Sequence, residues 1–305
     1  MSVPTIFHQP WWLQAAAGDN WLDVRAELSS GQSACLSVFR TRKAGLPMLG
    51  MPPLTRTLGP HIAGLEGKSE TVRRMKIYLL DQIIRQLPKH MIFNQVFEPW
   101  ETDALAFRLN DFSVNVEYTF RIEDCSDLKR IWSEMRDTMR RAIRKAEERV
   151  VVESNRIDGA KFTEFYFSNL RNQGRSPNHT PELYRRILDA ALGNESAEIL
   201  TARAPDGTIW AGIFTIWDGR SMYYLLTSQN KSANDSGSVA MLIWQAIKNA
   251  SARGLAFDFD GFGDRGTALF LSQFGGTLYP RMRVSRMPKP LQGLLHLGPR
   301  FGPET

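Results

Sequence analysis

The stretch that decides the fold is Ala197-Glu-Ile-Leu-Thr-Ala-Arg203, then Thr208-Ile-Trp-Ala-Gly-Ile-Phe-Thr-Ile-Trp217, then Met222-Tyr-Tyr-Leu-Leu-Thr227. From residue 197 onward we interpret the sequence with the two-residue period of strands, and the turns Pro205-Asp-Gly and Asp218-Gly-Arg separate the three segments. This pattern predicts three strands joined by hairpins. A helix over residues 237–252, ended by Arg253-Gly254, then leads into a short buried strand at 255–260. Antiparallel hairpins followed by a helix crossover predict an α+β domain with a mixed sheet.

The segments on either side complete this domain. Apolar residues recur at helical spacing over 127–149, which predicts one long amphipathic helix, and a β-branched run at 150–154 predicts a strand. Two further helices are predicted at 161–171 and 181–192. After the buried strand, residues 267–274 predict a short helix and residues 277–284 a last strand.

The N-terminal half repeats the end of this order. Strands are predicted at 21–28, 34–40, 91–97 and 112–121, and helices at 72–86 and 101–108. In particular, Ile92-Phe-Asn-Gln, a helix with Ala104-Leu-Ala-Phe, and a strand match Phe257-Asp-Phe-Asp, a helix with Ala268-Leu-Phe, and a strand. Duplication is the economical explanation. We therefore expect two tandem domains, residues 1–125 and 126–288, each with a mixed central sheet flanked by helices, and a tail at 289–305.

Composition excludes several classes of protein. The 43% of hydrophobic residues provides apolar surface for two cores, so we do not expect disorder. No apolar run is long enough to span a membrane and the N-terminus does not have the pattern of a signal peptide, so we expect a cytoplasmic protein. The two cysteines and five histidines are scattered without ligand spacing, so no metal site is expected. The net charge of +6 is compatible with anionic partners such as coenzyme A or nucleic acid.

Several motifs together resemble the GNAT acetyltransferase superfamily, and within it the tandem-domain branch of the Fem aminoacyltransferases and the BioF2-like acetyltransferase domain. They are Met139-Arg-Arg-Ala-Ile-Arg-Lys-Ala-Glu-Glu-Arg-Val before a strand, Gly207-Thr-Ile-Trp-Ala-Gly with Tyr223-Tyr224, Phe257-Asp-Phe-Asp-Gly with Phe274-Gly-Gly, Met51-Pro-Pro-Leu-Thr and Leu58-Gly-Pro. The resemblance covers nearly the whole chain. It implies direct transfer of an acyl group from an activated donor to an amine, in a gap between residues 222–227 and 255–260.

The resemblance implies a donor cradle beside the start of the helix at 237. Residues assigned to it are Thr227, Ser228, Asn234, Ser236, Gly237 and Ser238. Free N–H groups at a helix N-terminus favour an anion, and Gly237 would permit its close approach. The alternative is that Ser236 only caps the helix. Members of the superfamily that bind coenzyme A carry a motif in which Arg or Gln is followed, after two further residues, by Gly-x-Gly or Gly-x-Ala. Here Asn234 takes the first position and Gly237-Ser-Val the last three, which departs from the motif. Acyl-CoA remains the favoured donor.

Asp258, Asp260 and Tyr224 are the catalytic candidates. The two carboxylates alternate with phenylalanines, so a strand would place them on one face, where one accepts the proton of the amine and the other orients the acceptor. The alternative is an ion pair with Arg281 or Arg283 on the neighbouring strand. The adjacent Tyr223 and Tyr224 face opposite ways, and we assign Tyr224 to the gap.

Three hypotheses on function follow. The first is an N-acyltransferase that acts on an amine of a sugar, an amino acid or a peptide or cell-envelope precursor. The second is an aminoacyl-tRNA-dependent ligase, for which the basic residues of the helix at 127–149 would contact phosphates; a solvated helix face is the alternative. Moreover, Phe270-Leu-Ser-Gln-Phe does not have the basic residue common in Fem proteins. The third is a non-catalytic binding protein. Gly261-Phe-Gly-Asp-Arg-Gly fits a dinucleotide fingerprint, but the short helix after it argues for a glycine-rich turn or lid.

Overall fold

A computed structural model describes residues 4–233 and 237–288 and divides them into two compact units. The first contains residues 4–118 and 279–288, and the second contains residues 119–233 and 237–278. The chain thus passes from the first unit to the second inside one strand, and returns inside another. The division expected after residue 125 stays a prediction, and the tail at 289–305 lies outside the described residues.

The first unit is a mixed sheet with helices. Its elements in chain order are α1 (Pro10–Ala17), β1 (Trp21–Glu27), β2 (Ser33–Lys43), β3 (Leu46–Gly50), β4 (His61–Ala63), α2 (Ser69–Gln86), β5 (Ile92–Val96), α3 (Leu105–Leu109) and the first part of β6 (Ser113–Ile122). Strands β1, β2 and β3 pair antiparallel, β4 pairs with β2, and β3 runs parallel to β5. Its core includes four phenylalanine rings in mutual contact, namely Phe93, Phe97, Phe107 and Phe112.

The second unit also contains a mixed sheet. Its elements are α4 (Leu128–Glu134), α5 (Asp137–Glu147), β7 (Val151–Ser154), α6 (Gly159–Asn172), α7 (Pro181–Gly193), β8 (Ala197–Arg203), β9 (Ile209–Trp217), β10 (Ser221–Gln229), α8 (Ser238–Ala252), β11 (Ala256–Asp258), α9 (Arg265–Leu271) and the first two residues of β12 (Thr277–Arg286), most of which belongs to the first unit. The strand order is the end of β6, then β11, β10, β9, β8 and β7, and only β10 and β11 are parallel in it. The predicted α+β class with a mixed sheet is confirmed.

Both units contain the predicted sequence of strand, short helix and strand, as β5-α3-β6 and as β11-α9-β12. The last strand of each motif crosses the boundary between the units. The end of β6 pairs with β11, through Phe257↔Ile122 and Asp258↔Arg121, and the end of β12 pairs with β5. Each sheet is therefore completed by the part of the chain that enters it from the other unit.

The predicted continuous helix over 127–149 is wrong. Met135 and Arg136 have extended backbone angles and separate α4 from α5. The amide of Arg136 donates to the carbonyl of Gln273 at 3.0 Å, a partner far away in the sequence. Gly275 also packs against Glu134, where an added Cβ would lie 3.0 Å from the Glu134 Cβ. Since these contacts are tertiary, the helical period of the apolar residues gives no sign of the break.

Helices α6 and α8 cover opposite faces of the second sheet. Ile213 of β9 packs in the cluster formed with α5 and α8, whereas the ring of the next residue, Phe214, contacts that of Phe162 of α6, with 6.2 Å between ring centroids. Successive side chains of a strand point to opposite faces, so the two helices lie on different sides. The neighbouring strand β10 therefore has α6 on one face and α8 on the other.

Candidate acyl-transfer site

Strands β10 and β11 separate after a short parallel pairing. They pair through Ser221↔Ala256, Met222↔Phe257 and Tyr223↔Asp258, and β11 then ends while β10 continues to Gln229. On its other edge β10 contains a bulge, because its register with β9 shifts between Tyr224 and Leu226. A bulge changes which residues of a strand face each side. The sheet therefore opens beside the second half of β10, at the place predicted from the sequence.

A cavity of about 410 Å³ occupies this opening. Tyr224, Thr227 and Ser228 of β10 line it, together with Gly237 at the start of α8. Further lining residues from α8 and α9 are Val239, Ala240, Gly266, Thr267, Phe270 and Leu271, and those from α6 and its following loop are Tyr166, Asn169, Leu170, Gln173 and Arg175. This volume falls in the range typical of small-molecule sites.

The cavity has walls on both faces of the sheet. Tyr224 belongs to the core cluster that contains α8, whereas the Ser228 hydroxyl accepts a hydrogen bond from Asn169 Nδ2 of α6 at 2.9 Å. Both partners of that bond are buried. Because α6 and α8 lie on opposite faces, the opening beside β10 connects two sides of the domain. Such a slot allows two reactants to approach each other from different directions.

The two adjacent tyrosines have different environments. Tyr223 donates its hydroxyl hydrogen to Asp218 Oδ2 at 3.0 Å and does not line the cavity, whereas Tyr224 lines it. Burial raises the pKa of Tyr224, and the neighbouring Thr227 side chain offsets only part of this effect. The Tyr224 hydroxyl therefore stays protonated at neutral pH, so it is suited to donate a hydrogen bond or a proton.

Asp258 is part of a buried ion pair and does not line the cavity. Its Oδ2 lies 2.6 Å from Arg121 Nη1, and its Oδ1 accepts from Thr119 Oγ1 at 2.6 Å and from the amide of Asp260 at 2.7 Å. Burial lowers the pKa of Arg121, but the charges of Asp258 and Glu123 outweigh it and the net shift is upward, so the pair is ionised.

A partner of Asp258 thus lies on β6, a strand that the sequence-based alternative did not consider. Arg283 of β12 bonds Glu117 Oε1 and Asn94 Oδ1 instead, at 2.6 and 2.7 Å. Arg121 lies on β6, directly opposite Asp258 in the register of the two strands. Both carboxylate oxygens of Asp258 already accept hydrogen bonds from the protein, so this group is poorly placed to take a proton from a substrate.

Asp260 does not share a strand face with Asp258. Strand β11 ends at Asp258, and Asp260 has a left-handed backbone with φ of 61°. The alternation on which the sequence analysis relied therefore stops one residue after Asp258. Asp260 is 2% exposed and is not among the residues that line the cavity.

The start of α8 forms one wall of the cavity. Gly237 takes the N-cap position that the alternative assigned to Ser236, and no side chain caps this helix among the described residues. An ideal Cβ on Gly237 would lie 2.2 Å from the carbonyl oxygen of Ala142, so glycine is required for packing against α5. Ser238 is fully buried. Asn234 and Ser236 lie outside the described residues.

Sequence reasoning missed the contribution of α6. Asn169 and Gln173 are one helical turn apart, and Arg175 follows in the next loop. Polar residues of these types are common at helix ends, so the sequence alone does not distinguish them as residues of a site. Arg175 and Lys231 are the two cationic side chains among the described lining residues. Among the described residues there is also no group of three or more His, Cys, Asp or Glu side chains that could hold a metal ion.

Residues 133–266 match the family model described as "Acetyltransferase (GNAT) domain". This segment runs from α4 to α9 and contains the opening between β10 and β11. The chain thus carries a GNAT domain and has the fold of the Fem-like GNAT acyltransferases. No curated protein matches the sequence at a significant level.

Solved structures support this assignment of the fold. The crystal structure of FemX has a TM-score of 0.69 at 14% identity, covering 97% of this chain and 95% of its own. The C-terminal domain (DUF2156) of a proposed lysylphosphatidylglycerol synthetase from Agrobacterium fabrum has a TM-score of 0.57 at 12% identity, covering 94% and 89%. L-PGS from Bacillus licheniformis has a TM-score of 0.54 at 11% identity, covering 90% and 87%. At these identities the likeness establishes the fold. In the described part of the chain, no helix is both long enough and apolar enough to cross a bilayer.

Proposed function

We propose that this protein is an N-acyltransferase that moves an acyl group from acyl-CoA to an amine in the cavity beside β10. The observation that carries the proposal is the separation of β10 and β11 after Tyr223, with a cavity of about 410 Å³ at that point. In a GNAT domain this is where donor and acceptor are expected to meet. The proposal is compatible with a cytoplasmic location.

The donor is assigned to the wall formed by α8 and the end of β10. The first turn of α8 faces the cavity through Val239 and Ala240, and a helix N-terminus favours the negative charge of a phosphate. Lys231, just after β10, adds a positive charge there. We propose that Thr227 and Gly237, which line the cavity, and Ser238, the first residue of α8, lie on the donor side. Ser228 also lines the cavity, but its hydroxyl accepts a bond from Asn169 of α6. Asn234 and Ser236, which were assigned to the donor from the sequence, lie outside the described residues. When bound, the acyl thioester supplies the electrophilic carbonyl.

Tyr224 is the residue to which we assign the proton donor. Tyr224 lines the cavity, and its hydroxyl stays protonated because burial raises its pKa. It donates a hydrogen bond, and then a proton, to the sulfur as the carbon–sulfur bond breaks, and water afterwards returns a proton to Tyr224. We assign Asp258 and Asp260 a structural role in place of the role of general base, because neither residue lines the cavity and Asp258 forms an ion pair with Arg121. The amine then loses its proton to water in the open part of the slot.

The test combines binding and turnover. Acetyl-CoA and longer acyl-CoAs should raise the melting temperature of the protein, since a ligand at 100 times its Kd adds about 2.7 kcal/mol to stability. Release of free thiol should then depend on an added amine. Tyr224→Phe should lower kcat/KM by about 100-fold while acyl-CoA still raises the melting temperature.

Tyr223→Phe is the matched control. It removes the neighbouring hydroxyl, which bonds Asp218 outside the cavity, so it should cost about 1 kcal/mol of stability and leave kcat/KM within about threefold. Equal losses of activity in both variants would refute the role given to Tyr224. Absence of any stabilisation by acyl-CoAs would refute the choice of donor.

Transfer of an aminoacyl group from aminoacyl-tRNA is the second candidate. It is favoured by the basic face of α5, where the Arg144 guanidinium lies 5.6 Å from the centroid of the Trp132 ring, an arrangement compatible with RNA contacts. Nucleic acid that copurifies with the protein and is released steeply with salt would support this candidate. A protein free of nucleic acid that is stabilised by acyl-CoA would exclude it.

A further inference from the structure

We propose that Arg175 binds a carboxylate on the amine acceptor, so that the substrate acylated is an amino acid or a peptide with a free carboxylate. This inference rests on the proposed function and names the substrate class of the same cavity. Arg175 lines the cavity from the loop between α6 and α7, and its side chain is exposed to an incoming ligand.

Among the described residues, no carboxylate forms an ion pair with the guanidinium of Arg175. The acidic group that acts on it electrostatically is Asp264. Asp264 caps α9, where its Oδ1 accepts from the Thr267 amide at 3.0 Å and its Oδ2 from the Thr267 hydroxyl at 2.7 Å. The carboxylate of Asp264 is therefore held by the helix, and the exposed Arg175 side chain lines the cavity with its hydrogen-bond donors available to a ligand.

The position of Arg175 assigns it to the acceptor. The donor wall consists of α8 and the segment that follows β10, whereas Arg175 follows α6 on the opposite face of the sheet. Asn169 of α6 bonds Ser228 of β10, which fixes the end of α6 against β10 and thereby the start of the loop that carries Arg175. A group bound to Arg175 would enter from the side opposite to the donor.

The chemistry of the wall favours a carboxylate with an apolar neighbour. A guanidinium binds a carboxylate through two parallel hydrogen bonds, which fixes its orientation as well as its charge. Tyr166, Leu170 and Phe270 supply apolar lining in the same cavity. In an α-amino acid the carboxylate, the side chain and the amine are all attached to one carbon. Binding of the carboxylate and the side chain would therefore position the amine.

The experiment compares matched acceptors in the presence of acyl-CoA. The panel is the set of common L-amino acids and the corresponding L-amino acid amides, which keep the amine and the side chain but lose the negative charge. We expect a lower KM for at least one acid than for its amide. Arg175→Gln should raise KM for that acid about tenfold or more, with the KM for acyl-CoA unchanged. Arg175→Lys should restore only part of the affinity.

Arg171→Gln is the control variant. Arg171 lies in the last turn of α6, is exposed and does not line the cavity, so its loss should leave every KM unchanged. The proposal is overturned if acids and amides are used equally well, or if Arg175→Gln raises the KM for acyl-CoA and not for the acceptor.

A second readout separates this proposal from that of acyl transfer. Thermal shift with the same acids and amides measures acceptor binding without any donor. If no acyl transfer occurs but an acid stabilises the protein more than its amide, and Arg175→Gln abolishes the difference, the carboxylate site stands and the proposed reaction fails. Equal shifts for acids and amides overturn the carboxylate site even where transfer is observed.

Discussion

Replacement of Asp258 by asparagine tests whether this carboxylate supports the fold or performs chemistry. The side chains of Asp258 and Arg121 are 0% and 1% exposed, and their closest atoms are 2.6 Å apart. The asparagine side chain would keep the shape and one acceptor oxygen, and the bonds from Thr119 and from the amide of Asp260 survive. The guanidinium of Arg121, however, would then face a neutral amide inside the protein.

The expected loss of stability follows from the environment of Arg121. Removing one member of a buried ion pair costs about 3–5 kcal/mol, because the other charge stays buried without compensation. Glu123 still lies 2.7 Å from Arg121 Nε and is half exposed, so it offsets part of this cost. We therefore expect about 3 kcal/mol, which would lower the urea midpoint by about 1 M or more.

The assay is urea unfolding, with Glu134→Gln as the control. Glu134 pairs with Arg130 on α4, where both side chains are 44% exposed, and loss of such a surface pair should cost less than about 1 kcal/mol. The double variant Arg121→Met, Asp258→Leu should recover much of the stability, because no buried charge is left alone. Asp258→Asn with unchanged stability and lost acyl transfer would refute the structural role and restore Asp258 as a catalytic group.

Two further predictions concern packing and pH. Gly237→Ala should destabilise the protein by about 1–3 kcal/mol, because its Cβ would lie 2.2 Å from the Ala142 oxygen; Gly219→Ala, with open space around it, is the control for calorimetry. Burial lowers the pKa of His90, so the unfolded chain binds a proton first as the pH falls. Stability should therefore decrease below about pH 6.5, by at most about 1.4 kcal/mol per pH unit, and His90→Gln should flatten this dependence in urea titrations.

The sequence predicted those elements whose formation depends on local periodicity. Three strands were predicted within two residues of β8, β9 and β10, because alternation and turn residues define hairpins locally. Strands β3 and β4 were missed, since their short segments have neither alternation nor length. The break between α4 and α5 depends on a bond from Arg136 to Gln273, and no local pattern encodes a partner 137 positions later.

The candidate site was predictable only in part, because some of its residues are brought together by tertiary contacts that local sequence patterns do not encode. The place of the opening follows from the order of β10 and β11, and the assignment of Tyr224 to it needed only the alternation of a strand. Helix α6 lines the cavity because it packs on the end of β10, where Asn169 donates a hydrogen bond to Ser228. This packing is a tertiary contact, so the sequence does not predict it. The two carboxylates were assigned to catalysis because two acids on a buried strand are costly without a partner. The missing partner, Arg121, lies on β6.

The carboxylate of Asp258 has a further task, which explains why β11 is so short. Thr119 Oγ1 donates to Asp258 Oδ1 and accepts from the Gly261 amide at 3.0 Å, while the same Oδ1 accepts from the Asp260 amide. These bonds satisfy the backbone where the chain turns away from β10, at the left-handed Asp260 and Gly261. Without them, buried amides at this turn would have to find other acceptors, and continued pairing with β10 would supply them. The buried aspartate thus helps to hold open the slot into which the reactants are proposed to bind.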